Sequence, residues 1–266
     1  MSDPAPVRLH VDLDGQGPAL LLAHGFGGSA RNFLPQARAL RDRYRVLRWD
    51  ARGHARSEAP DDPRRYQTDC FVADARQVLD DAGATRAVAG GLSMGAVTAL
   101  QLALAHPERV RGLLLASFPA GPGSRHGISG IALAFADAIE RDGLEAAGRR
   151  FVWGPDAGLD ERAAALVRQG FLEHPPHGLV HTLRGYVAHF PTPDALAADL
   201  RGLGVPTLVV AGAHDAGSRP PSERLAALLP QARHVVVEDA GHVVNLHQPA
   251  RFNALLAEWI EALPDD

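Results

Sequence analysis

Short apolar segments alternate with helical patterns along most of this 266-residue chain. Several of these segments are apolar throughout, as strands buried on both faces of a parallel sheet are. Between them, apolar residues recur three and four positions apart, which is the spacing of a helix with one buried face. The alternation predicts an α/β fold with a mostly parallel central sheet and helices on both faces. The predicted strands are Val7–Asp12, Ala19–Ala23, Tyr44–Trp49, Ala87–Gly90, Gly112–Ala116, Thr207–Ala211 and His234–Glu238.

Three of the helices can be placed from their ends. Thr68 is predicted to cap a helix that runs to Asp81, and a second covers Met94 to Ala105. A third follows Pro249, because its apolar residues fall on one face at helical spacing. Those residues are Phe252, Leu255, Leu256, Trp259 and Ile260.

The alternation of strands and helices stops between about residues 119 and 200. This stretch has several helical patterns and repeated proline and glycine breaks, and it contains no convincing strand. We expect a helical cap here, inserted into an α/β core formed by residues 1–118 and 201–266. An insertion after the strand that ends at Ala116 would cover the carboxyl edge of the sheet, where ligands bind in open α/β folds.

The segment Gly91–Gly95 has the pattern G-x-S-x-G and directly follows a predicted strand. A serine at the tip of a sharp strand-to-helix turn is lifted clear of the backbone, and the flanking glycines let strand and helix approach closely. The pattern alone is weak evidence, but its position between a strand and a helix makes Ser93 the candidate nucleophile.

A serine nucleophile needs a base, and the base needs an orienting group. His242 lies in a turn after the last predicted strand, and Asp215 follows the preceding strand through a glycine-containing turn. The order Ser93, Asp215, His242 is the order that a strand-turn-helix nucleophile of this kind requires. Asp239 is the rival acid, but two residues so close on one turn usually point their side chains apart.

Two backbone N–H groups could bind the oxyanion of an acyl-transfer reaction. Met94 follows the nucleophile at the start of a helix, and Phe26 lies in the glycine-rich turn His24–Gly28. Taken alone, that turn could equally be a plain connection between a strand and a helix. Together with Ser93 it predicts an oxyanion hole.

These motifs resemble those of the α/β-hydrolase family, and the resemblance extends over nearly the whole chain. The matching segments are His24–Gly28, Gly91–Gly95, Gly212–Asp215 and Gly241–His242, with Asp50, Arg52, Gly53, His54 and Ser57 matching D-x-R-G-H-G-x-S. Ala55 stands where the family has the second glycine of that pattern. The segment from Pro206 to Pro249 is similar to the enol-lactonase and non-haem haloperoxidase-like branch.

The resemblance implies a mechanism in which Ser93 attacks a carbonyl carbon and His242 takes its proton. Asp215 then stabilises the imidazolium, and water cleaves the acyl-enzyme. No cofactor and no metal are implied, and a small carboxylic ester or lactone is the expected substrate. Two alternatives stay open, a carbon-carbon bond hydrolase of diketone-type substrates and a non-catalytic ligand-binding protein. Ser93 disfavours epoxide hydrolases and haloalkane dehalogenases, which are expected to carry aspartate there.

The composition limits both the catalytic chemistry and the kinds of molecule that the protein is expected to bind. All 27 basic residues are arginine, which excludes a Schiff-base lysine, a phosphate-loop lysine and a serine-lysine dyad. A net charge of −4 gives no expectation of binding to nucleic acid or to an anionic membrane. No apolar run spans a bilayer and Met1–Arg8 lacks a secretory pattern, so a cytoplasmic location is expected.

The predicted cap contains aromatic and histidine side chains that could shape a substrate pocket. They are Trp153, Phe171, Tyr186, His189 and Phe190, each of which could equally be cap core. His174, His177 and His181 have spacings that a metal could use, but no cysteine or carboxylate cluster accompanies them. No metal site is therefore expected, and a place in the lining of the cap is expected instead.

Overall fold

A computed structural model describes residues 4–119, 128–154 and 161–264 of the chain. Its centre is a seven-stranded sheet in the order β1-β3-β2-β4-β5-β6-β7. Only β1 runs antiparallel to its neighbour, and the other pairs are parallel. The strands are β1 His10–Asp14, β2 Ala19–Ala23, β3 Arg45–Asp50, β4 Ala87–Leu92, β5 Val110–Ala116, β6 Thr207–Gly212 and β7 Ala232–Val237.

Helices cover both faces of the sheet, which confirms the predicted fold class. Short 3-10 helices occupy Ala30–Phe33, Pro63–Arg65, Pro107–Arg109 and Val187–His189. The α-helices are α1 Leu34–Leu40, α2 Thr68–Asp81, α3 Met94–Ala105, α4 Ile128–Phe151, α5 Glu161–Leu172, α6 Pro176–Gly185, α7 Ala197–Gly202, α8 Arg219–Leu228, α9 Val244–His247 and α10 Pro249–Glu261. Among these described helices, none combines the length and the apolar character needed to cross a membrane.

Alternation along the strands divides the core into two layers. In β2, Leu20 and Leu22 face the layer that contains α1 and α10, whereas Leu21 faces the layer that contains α2, α3 and α8. The apolar stripe predicted for the last helix is buried in the first layer. Both faces of the central strands are therefore buried, which explains why their sequences are almost continuously apolar.

The predicted strands were correct in number and order, but several ends differ. β1 begins at His10 instead of Val7, because β3 ends at Asp50, which pairs with His10. Residues 4–9 thus lie outside the pairing of β1 with β3. The helix predicted to be capped by Thr68 begins at Thr68, with Gln67 as its cap residue.

The residues between β5 and β6 that the structure describes form helices and turns, with no strand in 128–154 or 161–202. The buried side chains of α4 and α6 belong to the same core layer as α2 and α3. Helix α7 runs across residue 200, where the cap was predicted to end. The division into a core and a cap at residues 119 and 200 stays a prediction.

Candidate active site

Ser93 lies between the end of β4 and the start of α3, with φ 54° and ψ −113°. A positive φ is rare for a residue with a side chain, and it turns the chain sharply enough to start the helix immediately after the strand. A Cβ on Gly95 would overlap the backbone of Ala23, and a Cβ on Gly91 would overlap Gly95. The two glycines of the pattern are thus required by the close approach of strand and helix.

Asp215 and His242 form a hydrogen-bonded pair, with 2.8 Å between Oδ2 and Nδ1. Their turns are tied together, because the N–H of His214 donates to the carbonyl of Ala240 and a Cβ on Gly212 would overlap that same carbonyl. Asp215 is buried, whereas the imidazole is half-exposed. With Nδ1 bonded to the carboxylate, Nε2 is the ring nitrogen left to act as a base.

The electrostatics of this pair favour an ionised carboxylate. Burial raises the pKa of Asp215, but hydrogen bonds from His242 and from Ser218, with the charge of His242, hold it below its ordinary value. The rival acid Asp239 is exposed in a turn at φ 54°. Within the described part of the chain, Asp239 makes one hydrogen bond, in which its backbone carbonyl accepts from the side-chain amide of Gln248. The carboxylate that the fold brings to His242 is therefore that of Asp215.

The turn that carries Phe26 lies against the nucleophile turn, since a Cβ on Gly25 would stand 3.6 Å from Cβ of Ser93. The carbonyl of Gly25 accepts hydrogen bonds from Nδ1–H of His24 at 2.7 Å and from the N–H of Gly28 at 3.0 Å. These bonds fix the peptide group that carries the N–H of Phe26. Within residues 4–119, 128–154 and 161–264, neither that N–H nor the N–H of Met94 donates to a protein acceptor. Both are thus available to an oxyanion.

The Ser93 hydroxyl makes no hydrogen bond with any described residue, and His242 bonds through Nδ1 alone. A direct bond between the hydroxyl and Nε2 is therefore not formed in this structure. Catalytic hydrogen bonds are often long or misaligned in a free enzyme and tighten once substrate is bound. The relay from Ser93 to His242 stays a prediction.

Three buried histidines pack together at the candidate oxyanion turn, and His24 belongs to the turn itself. The ring centroid of His54 lies 5.1 Å from that of His24 and 5.3 Å from that of His174. Nε2 of His24 accepts from the N–H of Ala51, so its proton lies on Nδ1. Burial lowers the pKa of His24 to about 4, and burial also lowers that of His54 well below its usual value. Both side chains are therefore neutral supports of the turn.

His174 joins the helical segment to the two loops around the site. Its Nδ1 accepts from the N–H of Ala55 at 2.7 Å, and its Nε2 donates to the carbonyl of Gly27 at 2.9 Å. Burial lowers its pKa, which keeps the ring neutral and able to do both. Ala55 has φ 42°, so it adopts the left-handed conformation that the family's glycine would take. Sequence reasoning weighed His174 as a metal ligand or as part of the cap lining, and it missed this role.

The five side chains predicted to line a pocket fall into separate groups. Phe171 is buried, and its ring would lie 2.9 Å from a Cβ on Gly27, while Trp153 packs edge-on against it. Tyr186 is buried, stacks on Phe71 and hydrogen bonds to Thr98 at 2.9 Å. Phe190 packs edge-on against Tyr186, and His189 is exposed. The group of Phe171 and Trp153 borders the candidate oxyanion turn, through the approach of Phe171 to Gly27. Contact with substrate stays a prediction for all five.

Phe135 of α4 is a further aromatic residue near the site, and sequence reasoning did not single it out. Its ring packs edge-on against Phe26, with centroids 5.6 Å apart, and stacks on Phe151 and Phe171. An apolar residue in a predicted helix carries no sign of which neighbour it will contact, so no sequence signal pointed to it.

Comparison with known proteins gives relatives of the same length and fold. The chain is 29% identical to "Putative 2-succinyl-6-hydroxy-2,4-cyclohexadiene-1-carboxylate synthase" of Bacillus subtilis (strain 168), over 92% of this chain and 91% of that protein. An enol-lactonase from Burkholderia xenovorans LB400 superposes with a TM-score of 0.85 at 27% identity, over 96% of this chain and 97% of that one. A thermophilic esterase from Thermogutta terrifontis gives a TM-score of 0.87 at 28% identity, over 98% and 96% of the two chains.

The family model described as the alpha/beta hydrolase family matches residues 20–255. That span includes the glycine-rich turn of Phe26, the turn of Ser93 and the pair Asp215 and His242. The seven-stranded sheet and the superposed relatives agree with the match. The chain therefore belongs to the alpha/beta hydrolase family.

Proposed function

We propose that this protein is a serine hydrolase that cleaves a small carboxylic ester or lactone through an acyl-enzyme on Ser93. The observation that carries the proposal is the bond between Asp215 and His242, on turns at the same sheet edge as the strained turn of Ser93. The similarity to an enol-lactonase and to an esterase supports the choice of substrate class.

In the proposed reaction, Ser93 Oγ attacks the carbonyl carbon while Nε2 of His242 takes the hydroxyl proton. Asp215 keeps the proton of His242 on Nδ1 and stabilises the imidazolium. The N–H groups of Phe26 and Met94 bind the oxyanion, and each such donor typically contributes roughly 3 kcal/mol in the transition state. The imidazolium then protonates the leaving alcohol, and water activated by His242 hydrolyses the acyl-enzyme.

The proposal keeps the expectations that no cofactor or metal takes part and that the protein acts in the cytoplasm. It also keeps the pocket assignment of Trp153, Phe171, Tyr186, His189 and Phe190. The contacts of Trp153 and Phe171 with the aromatic cluster next to Phe26 support their part of it. The carbon-carbon hydrolase alternative uses the same three residues, so only the substrate distinguishes the two.

A kinetic comparison of variants tests the triad. Ser93→Ala, His242→Ala and Asp215→Asn are each expected to lower kcat for p-nitrophenyl acetate by roughly 10³-fold or more. Asp239→Asn is the matched control, because it removes a charge from an exposed turn near His242, and it should keep wild-type kcat. Wild-type turnover by Ser93→Ala or His242→Ala would contradict the proposal, and an equal loss in both aspartate variants would contradict the choice of acid.

A substrate profile tests the reaction class. Purified protein is assayed on p-nitrophenyl esters of increasing acyl length, on simple lactones and on diketone-type compounds with a cleavable carbon-carbon bond. Hydrolysis of short esters or lactones with no cleavage of the diketones is the expected profile. The opposite profile would favour the carbon-carbon alternative.

A further inference from the structure

Ser218 occupies the cap position of helix α8, where a serine hydroxyl normally accepts a hydrogen bond from the second or third backbone N–H of the helix. Those two positions are Pro220 and Pro221, which have no N–H. The hydroxyl makes no capping bond, although serine is one of the residues most favoured for that role. The sequence therefore frees this hydroxyl for another partner.

The partners of Ser218 are the two members of the acid-base pair. Its hydroxyl oxygen lies 3.3 Å from Nδ1 of His242, and its backbone N–H donates to Oδ1 of Asp215 at 3.2 Å. The residue is 1% exposed, so water does not compete for these contacts. The Asp215 carboxylate thus has one oxygen bonded to His242 and the other to Ser218.

We propose that Ser218 is a positioning residue of the catalytic relay, holding the carboxylate of Asp215 and the ring of His242 in the orientation that base catalysis needs. Its N–H fixes the rotation of the carboxylate, and its hydroxyl gives Nδ1–H a second acceptor beside Oδ2. The inference rests on the proposed serine hydrolase function. Ser218 is not a catalytic residue, since it touches neither the substrate nor the reacting atoms.

The hydroxyl of Ser218 keeps its own proton throughout the proposed reaction. During attack one proton moves from Ser93 Oγ to Nε2 of His242, while the proton on Nδ1 stays there and Asp215 stays ionised. Ser218 gains and loses no proton. The hydroxyl contact to Nδ1 strengthens when the ring becomes an imidazolium, because hydrogen bonds from a charged donor are stronger than neutral ones. The contact therefore favours the transition state over the ground state and should act on kcat.

The chain offers a matched control one helical turn further along α8. Ser222 is also a buried serine, and among the described residues its hydroxyl has no hydrogen-bond partner. Ser222→Ala therefore makes the same chemical change in the same helix without removing a hydrogen bond to Asp215 or His242. Ser218→Thr keeps the hydroxyl and serves as the conservative variant.

The test is steady-state hydrolysis of p-nitrophenyl acetate by wild type, Ser218→Ala, Ser218→Thr and Ser222→Ala. Ser218→Ala is expected to lower kcat about tenfold with KM unchanged, the size expected for one hydrogen bond to a group that becomes charged. Ser218→Thr should keep more than half of the wild-type kcat, and Ser222→Ala should match wild type. If Ser218→Ala does not fold, Ser218→Cys, which keeps the volume and weakens the hydrogen bond, should show a similar loss of kcat.

Three results would overturn the inference. These are wild-type kcat in folded Ser218→Ala or Ser218→Cys, an equal loss in Ser222→Ala, and a loss in Ser218→Thr as large as in Ser218→Ala. None of these three results contradicts the proposed serine hydrolase function, provided that the wild type is active and Ser93→Ala is inactive. An inactive wild type would instead count against the proposed function.

Discussion

Ser93 holds a backbone conformation that an ordinary residue avoids. At φ 54° and ψ −113° its Cβ is crowded by its own backbone, which typically costs about 1–3 kcal/mol. Glycine lacks the Cβ and adopts such angles without this cost. A serine at this strained position is expected if its hydroxyl is needed for function at some cost to the stability of the turn.

Replacing Ser93 should therefore separate stability from activity. We expect Ser93→Gly to have a free energy of unfolding about 1 kcal/mol higher than that of Ser93→Ala, because only glycine relieves the strain. Neither variant has a hydroxyl, so both should be inactive. Urea unfolding of the two proteins at one pH measures the difference. A glycine variant less stable than the alanine variant would show that the turn is not strained.

The residues that sequence reasoning found share one property: each lies in a turn whose glycines mark it. Ser93, Asp215 and His242 all follow a predicted strand, so their shared edge of the sheet could be deduced before any coordinates. His174 and Ser218 could not be found this way. His174 acts on backbone groups 119 and 147 residues away, and the partners of Ser218 depend on how two turns pack.

At the scale of elements, the junction of β4 and α3 depends on the absence of two side chains. A Cβ on Gly95 would overlap the carbonyl of Ala23, in the neighbouring strand β2. Strand β2 cannot move away, since it is hydrogen bonded to both β3 and β4. The nucleophile turn and the turn of Phe26 are therefore held in register by the same close contact.

Gly95→Ala should consequently destabilise the fold, whereas alanine normally stabilises a helix. We expect a loss of about 2 kcal/mol or more, because the methyl group meets backbone that cannot yield. Gly170 in α5 is the matched control, since nothing lies within 4 Å of a Cβ placed there, and Gly170→Ala should gain up to about 1 kcal/mol. Thermal and urea unfolding measure both. Equal effects of the two substitutions would contradict the role assigned to Gly95.

The strands illustrate what local sequence can and cannot provide. The apolar runs located the inner strands β2 to β6, because burial on both faces leaves a pattern in the local sequence. The ends of strands depend on the partner strand, as at His10, where β1 begins opposite the last residue of β3. The kink at Gly143 within α4, with φ 78°, likewise could not be deduced from the spacing of apolar residues.

For the whole molecule, the buried histidines couple stability to pH. The fold disfavours the charged forms of His24, His54 and His174, and burial lowers the pKa of His24 to about 4 from 6.5. Unfolding exposes these rings, so the unfolded chain binds more protons than the folded one between about pH 6.5 and 4. Stability is therefore present above this window and is lost as the pH falls through it.

The expected slope is up to about 1.4 kcal/mol per pH unit for each histidine that stays neutral in the fold. Urea unfolding at pH 7.5, 6.5, 5.5 and 5.0 measures it, and His174→Gln should have a smaller slope than wild type. A free energy of unfolding that is constant or rises as the pH falls from 6.5 to 5.0 would contradict the account.

The alternation of strands and helices was sufficient to deduce the sheet and the helices on its faces, since each step follows from local periodicity. The arrangement of residues 128–154 and 161–202 was not deducible, because their helices pack through side chains whose partners lie far away in sequence. Phe171 on Gly27 and Phe135 against Phe26 are two such contacts. We propose that this part of the molecule sets the selectivity of the site.

The most direct test of the central claim is covalent labelling with a fluorophosphonate, read by intact mass and by peptide mapping. The account predicts a single adduct on Ser93 of the native protein, no adduct in Ser93→Ala, and labelling slowed by roughly 10³-fold in His242→Ala. An adduct on another residue, or a wild-type protein that stays unlabelled while it hydrolyses esters, would contradict the claim that Ser93 is the nucleophile.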